Sequence, residues 1–522
     1  MSGASGHLHS SGEARGTPPS PTPSGATNPR LGVVWVLATL PLAALFMLYS
    51  ADVPIGQPFF LIYRYSPWSA VRGLHAVPAA VVGLIGIFVL SRGRRESGRV
   101  AGWAMLVAGV TYGFLVLWTF FAPPNYVAQH SFNMLSPSHE GAFVMEGRNV
   151  ASVRDYVTRD FFERLKLSPE QMAGRRVLSN PPGMTVASIV VERFVEQSGW
   201  LRAALVDWFG LSELDDAAQR ASFASALAFA ILLTLLWGAS LPAAYRCCRL
   251  WLSPRPSMVV AFACAFNPAT VSFSPGKDSA QALTGLLIVT TWMAAYVRKR
   301  KLLGFASGVV LAAATMIGLI HVWVFLTVSA ATLWDAARSR GASFWMTRCA
   351  LPSLLGATVA MAVARVALGW NIPLTVYRVA QRYGEIQLPI ITDPLCWTLL
   401  GLPMFLLFVG ATPWGLSGDG AISRADPTSK LGRRLMVCLI LVMTYTYFFG
   451  NNSETPRLWI PFIPILILSL ALTRRSCRED HPAFRRMMTI LLCLQLLFTL
   501  AHWSLMDVRE SEYRLSTGRM WN

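Results

Sequence analysis

The sequence predicts an all-α polytopic membrane protein of about thirteen transmembrane helices, with one large extracytoplasmic loop that contains interfacial amphipathic helices. Three observations carry that prediction. Hydrophobic residues make up 54% of the 522-residue chain and charged residues 14%, with a mean hydropathy of +0.46. Soluble domains carry about 25% charge. Apolar runs of about twenty residues recur, which is the length that crosses a hydrocarbon core. Lysine and arginine are dense in alternate connecting segments and sparse in the others. Together these exclude a soluble enzyme and a disordered chain. A net charge of +18 would suggest nucleic acid on a soluble protein. Here cationic loops retained in the cytoplasm produce the same excess, and no nucleic-acid partner is expected.

Residues 1–30 are rich in Ser, Gly, Pro and Thr without an apolar period, and read as a disordered cytoplasmic tail. The membrane bundle extends over 31–505, with apolar runs at 31–50, 73–90, 100–121, 223–245, 257–273, 280–297, 302–320, 321–337, 349–370, 395–412, 435–450, 458–473 and 488–505. The two runs that meet near His321 are almost continuous. With the N-terminus in the cytoplasm, the inner segments carry 25 Lys and Arg and the short outer ones nine. That asymmetry places segment 122–222 outside and makes 506–522 an extracytoplasmic tail. The eight cysteines include no C-x-x-C pair, so neither a metal knuckle nor a disulfide framework is supported. Most read as small buried hydrophobes.

The loop 122–222 reads as two amphipathic helices joined by a turn. In the first, Val150, Val153, Val157, Phe161 and Leu165 form one apolar stripe, with Arg148, Arg154, Asp155, Arg159 and Glu163 on other faces. Such a helix either lies in the membrane interface or forms a small cap packed on the bundle. The second opens at Ser179-Asn180-Pro181-Pro182-Gly183, with Asn180 as a candidate N-cap and Pro181 at the first helical position. Met184, Val186, Ile189, Val190, Phe194 and Leu201 are its apolar positions. Its N-terminus would hold a phosphate, or the Pro-Pro-Gly would only turn the chain.

Just after the third run, His139-Glu140 precedes Gly141 at the expected membrane boundary. A carboxylate at that boundary, beside a glycine that lets the backbone approach a ligand, makes the pair a candidate acid/base site; helix capping is the plainer role.

These stretches carry a resemblance. Ser138-His139-Glu140-Gly141-Ala142, Asn180-Pro181-Pro182-Gly183, Ser274-Pro275-Gly276-Lys277-Asp278 and Glu454-Thr-Pro-Arg457-Leu-Trp-Ile-Pro461, set in this arrangement of spans and loop, resemble the GT-C superfamily of membrane glycosyltransferases. The resemblance is especially to bacterial members akin to protein O-mannosyltransferases and the lipid A aminoarabinose transferase. The likeness covers residues from about 100 to 475. Asn180 stands where the family usually has His. Two further spans precede the large loop, where the family usually has one.

The resemblance implies a polyprenyl-phosphate-linked sugar donor, and a protein, lipid or glycan hydroxyl as acceptor. The donor's lipid stays in the bilayer while its sugar lies outside. A carboxylate then takes the acceptor's proton as the oxygen attacks the anomeric carbon, and cations hold the leaving phosphate. Glu140 is the expected base, with His139 orienting it or touching phosphate. Lys277, Arg378, Arg382 and Arg457 are the expected phosphate cations. Arg365 lies inside a run, about 7–8 Å below the outer end of its helix, and either holds phosphate or snorkels to the interface. Asp278 would hold Lys277 or serve as a second acid, and Glu454 would pair with Arg457. A lone early carboxylate gives few oxygen ligands, so no metal or other cofactor is expected to be required.

Three rivals stand beside this reading. A transporter would show repeated halves and membrane-embedded carboxylates. The sequence has no evident repeat, and Asp335 falls at an expected cytoplasmic helix end. A lipid-linked glycan flippase or ligase would also use outer arginines but not Glu140. A scaffold protein would need neither Glu140 nor Arg457.

Overall fold

The computed structural model describes residues 140–167, 180–208, 216–273, 275–339, 341–387, 426–449 and 458–474, with shorter stretches within 55–65, 77–87, 103–113, 177, 211–213, 405–417 and 477–509. The expected tail 1–30, the run 31–50, His139, Glu454, Arg457 and residues 510–522 lie outside the described residues.

The described chain is predominantly helical. One small sheet departs from the all-α expectation: β1 (Ile55–Gln57) and β2 (Leu61–Tyr65) pair antiparallel, and β2 pairs antiparallel with β3 (Met506–Arg509), Tyr63 facing Val508. The segment expected to begin the C-terminal tail thus starts as a strand.

Four helices build the loop region. α1 is Gly141–Arg148. α2 runs as Val153–Asp155, widens through a π-turn at Tyr156–Asp160 and continues as Phe161–Arg164. α3 is Gly183–Gln197 and α4 is Gly199–Trp208. The bundle follows with α5 (Ala217–Cys248), α6 (Pro254–Ala265), α7 (Pro268–Ser272), α8 (Lys277–Arg298), α9 (Lys301–Thr315) and α10 (Ile320–Arg338). α11 (Leu351–Leu368) leads through a left-handed Gly369 into α12 (Ile372–Gln387). α13 (Pro427–Phe449), α14 (Ile463–Leu472) and α15 (Pro482–Leu505) complete it.

Among the described residues, five helices are long and apolar enough to cross a membrane: Arg220–Cys248, Lys277–Arg298, Ile320–Arg338, Ala342–Leu368 and Pro427–Phe448. They coincide with expected runs. The expected run 257–273 is instead two helices, because Pro268 disfavours helical backbone at Asn267. The Asn267 side chain accepts the Thr270 N–H at 3.0 Å and starts α7. The runs that meet near His321 separate at Met316–Leu319.

α8 and α10 run side by side in the same direction. Their contacts step along both: Thr284 meets His321, Trp292 Nε1–H donates to Thr332 Oγ1 at 2.9 Å, and Tyr296 Oη–H donates to Asp335 Oδ2 at 2.6 Å. α13 runs back along α10, from the Arg434–Asp335 ion pair to the stacked Tyr445 and Trp323. α11 lies parallel to α9, where a Cβ on Gly308 would overlap the Ser353 backbone. Such close approach by small residues is how helices associate in lipid, where apolar burial supplies no drive. The outer face of α11, with Leu354, Val363 and Val366, is exposed, as suits a surface meeting hydrocarbon chains rather than water.

Candidate functional site

The loop helices form a cap knitted to one end of the bundle. Val157 and Phe161 of α2 are fully buried, in one cluster with Ile189 of α3, Met316, Trp370 and Val379 of α12. Of the two roles expected for this helix, its apolar stripe has the geometry of a packed cap. Polar ties hold the pieces together. Glu146 pairs with Arg164, Glu192 lies 3.4 Å from Arg148, and Ser188 Oγ–H donates to the Phe143 carbonyl at 2.7 Å. Burial, with Glu196 nearby, raises the Glu192 carboxyl to about 7, against the lowering pull of Arg148 and Arg193. The apolar positions expected for the second helix need correction. Thr185, Ser188, Ile189 and Glu192 face inward, whereas Val190 and Phe194 face outward. Glu192 is buried with the Arg148 guanidinium 3.4 Å from its carboxylate.

The Gly183 N–H donates to the Met316 carbonyl at 2.9 Å, and a Cβ on Gly183 would press into that same backbone. α3 therefore docks by its first residue on the turn between α9 and α10. The start of α3 also differs from expectation. Pro182 occupies the cap position and Gly183 opens the helix, so Asn180 is not the N-cap. Its side chain serves elsewhere.

Glu140, Asn180, Lys277 and Asp278 meet in this corner, and each is more than nine-tenths buried. Glu140 starts α1 without capping it. Its Oε2 instead accepts the backbone N–H of Lys277, the first residue of α8, at 2.9 Å. Gly276, at the cap position of α8, has no side chain to do this. The carboxylate thus sits at the positive end of the α8 dipole, as does Asp278 in the first turn. Lys277 Nζ–H donates to Asn180 Oδ1. A buried ammonium requires such acceptors, since desolvation costs several kcal/mol per unpaired ion. The residues that converge come from the starts of α1, α3 and α8, each a place where a helix end leaves backbone groups uncommitted.

Of the other expected cations, Arg365, Arg378 and Arg382 lie on α11 and α12. Arg365 is exposed at the end of α11 and donates to the Gly369 carbonyl at 2.7 Å, closing its own helix. Arg378 is exposed on α12, with its guanidinium 5.9 Å from the Tyr377 ring centre. Arg382 is half-buried on the same helix. Among the described residues, no three His, Cys, Asp or Glu side chains gather as metal ligands.

Two neighbours, Gln281 and His321, were not expected from the sequence. Gln281 lies one turn along α8 from Lys277 and Asp278 and is 2% exposed. His321 is fully buried beside it. Its Nδ1–H donates to the Gly318 carbonyl at 2.7 Å, and its Nε2 lies 2.8 Å from Thr284 Oγ1, whose hydroxyl also reaches the Ala280 carbonyl at 2.7 Å. The available signal was the break near His321 together with Gly318.

The fold and site define a membrane-embedded helical protein with a buried polar cluster under a cap. The chain matches no family model and no curated protein.

Proposed function

We propose that the protein is a membrane glycosyltransferase, moving a sugar from a polyprenyl-phosphate donor to an extracytoplasmic acceptor hydroxyl. The observation that carries this reading is the convergence of Glu140, Asn180, Lys277 and Asp278. These are residues from three distant stretches, each of which resembles a GT-C segment. Glu140 takes the proton of the acceptor hydroxyl as its oxygen attacks the anomeric carbon. The bond from that carbon to the phosphate oxygen breaks, and polyprenyl phosphate leaves against the Lys277 ammonium.

The placement of charge supports an extracytoplasmic site. Helix directions put the cluster at one end of the bundle and Arg298–Lys301, Arg338, Arg348 and Lys430–Arg434 at the other, the distribution expected of cytoplasmic ends. About thirteen spans in an inner membrane, the N-terminus inside and residues 122–222 outside, belong to the same proposal. Outward-facing Val190, Phe194, Trp200 and Trp208 on α3 and α4 suit contact with the membrane interface.

The Lys277 N–H to Glu140 bond favours a second reading, in which Glu140 only caps α8 and the protein is not a transferase. Glu140→Gln separates the two, because the amide oxygen still accepts that bond but the amide is no base. With a labelled polyprenyl-phosphate hexose and purified protein, transfer lost with donor binding retained supports catalysis. Unchanged transfer removes the base assignment.

A further inference from the structure

Gln281 is 2% exposed, and its side-chain Oε1 has no hydrogen-bond partner among the described residues. A buried acceptor left open is costly. The site nevertheless makes room for the amide: a Cβ on Gly318 would collide with Gln281 Nε2. The neighbouring groups already have other uses. The His321 ring lies between the Gly318 carbonyl and the Thr284 hydroxyl, and it also faces the Gln281 backbone carbonyl at 3.3 Å. Gln281 is three residues from Asp278 and four from Lys277, so all three share one face of α8. Its Cα lies about 6 Å further along the helix than that of Lys277.

An acceptor oxygen needs a donor. A phosphate ionised at neutral pH has no proton to give and is instead the partner of Lys277. A hydroxyl has one. We infer that Gln281 reads the sugar of the lipid-linked donor, accepting a hydrogen bond from one of its hydroxyls while Lys277 takes the phosphate. This rests on the transferase reading and adds to it the residue that distinguishes a glycosylated lipid from a bare one. A site built around a hydroxyl partner rejects the analogue lacking it, because its own polar group is then left unpaired.

The test uses the full chain in lipid nanodiscs, with two kinds of probe: polyprenyl phosphate, and a panel of polyprenyl-phosphate hexoses and pentoses. The wild-type protein should bind at least one sugar-bearing lipid about tenfold more tightly than the bare phosphate, the size of one neutral hydrogen bond. Gln281→Met should bind the bare phosphate as the wild type does and lose the preference. Gln281→Glu keeps an acceptor oxygen and should retain the preference; it also decides the matter if the Met variant does not assemble. A preference that survives in Gln281→Met, or is lost in Gln281→Glu, overturns the assignment, leaving the oxygen to an enclosed water. Wild-type protein that binds the lipids without distinguishing them overturns this inference alone. Wild-type protein that binds none of them removes the transferase reading and this inference with it.

Discussion

Glu140 caps the helix that carries Lys277. Its Oε2 receives the Lys277 N–H at 2.9 Å across 137 positions of sequence, so the start of the cap and the start of α8 are fixed to each other. Two effects separate here. Glu140→Gln retains an acceptor and should leave the melting temperature near the wild-type value, while any transfer activity falls by about 10²–10⁴, the usual contribution of a general base. Glu140→Ala leaves a buried N–H without this acceptor and should cost about 1–3 kcal/mol. Thermal melts of the two variants, set beside transfer assays, distinguish the roles. A destabilised Gln variant would contradict the capping geometry.

Lys277 and Asn180 form the second such pair. Asn180→Ala removes an acceptor from a buried ammonium and should destabilise more than Lys277→Met, which removes the charge while keeping the stem. In a double-mutant cycle, the Asn180 change should cost less once Lys277 is Met, with a coupling of about 1–3 kcal/mol, as for groups in direct contact. Additive costs would show that the two side chains do not act together.

The bundle was legible from the sequence where periodicity and burial agree. The five long helices fall on expected apolar runs, since a span needs only length and hydrophobicity. The site was legible as short stretches at helix starts, because Glu140, Asn180 and Lys277 are polar residues beside glycine or proline and Asp278 follows Lys277. Their roles were not. Asn180 reads as a local N-cap, but its side chain goes to Lys277, and nothing local in a sequence announces a partner 97 positions away. Glu192 is buried beside Arg148, a partner 44 positions away that nothing local in the sequence announces. Gln281 carries no signal until Gly318 is seen to make space for it.

Glu192 gives the cap a pH response. Its carboxyl is raised to about 7 by burial and by Glu196. The folded state therefore favours the protonated form. The contribution of this group to stability is full below the ordinary carboxylate range, and is lost as pH rises through about 7. Residues 183–197 should resist proteolysis better at pH 5 than at pH 8 in the intact protein. Glu192→Gln should flatten that difference, and a pH response unchanged in the variant would assign it to another group.

Gly183 should tolerate no larger residue. Its Cα lies against the Met316 backbone, where a Cβ would stand 2.8 Å from the carbonyl carbon. Backbone on both sides leaves nothing flexible to yield. Gly183→Ala should weaken the seat of α3 by about 1–3 kcal/mol, as overpacking does. It should also increase cleavage within the cap before the bundle melts. A variant as resistant as the wild type would mean that α3 shifts to accommodate the methyl.

Orientation is the last consequence, and it joins the cap to the charge pattern. The cap seats at the end where α8 and α10 begin, whereas Asp335, Arg434 and the basic turns lie where α8 and α10 finish. If cationic ends remain in the cytoplasm, exposed Gln197 in the cap and exposed Ser339 after α10 lie on opposite sides of the membrane. Gln197→Cys in intact cells should react with an impermeant maleimide, and Ser339→Cys only after permeabilisation. The native cysteines described are buried or half-buried, so the background should be low. The reverse pattern would put the polar cluster in the cytosol, away from any sugar displayed outside, and the transferase mechanism would lose its substrate.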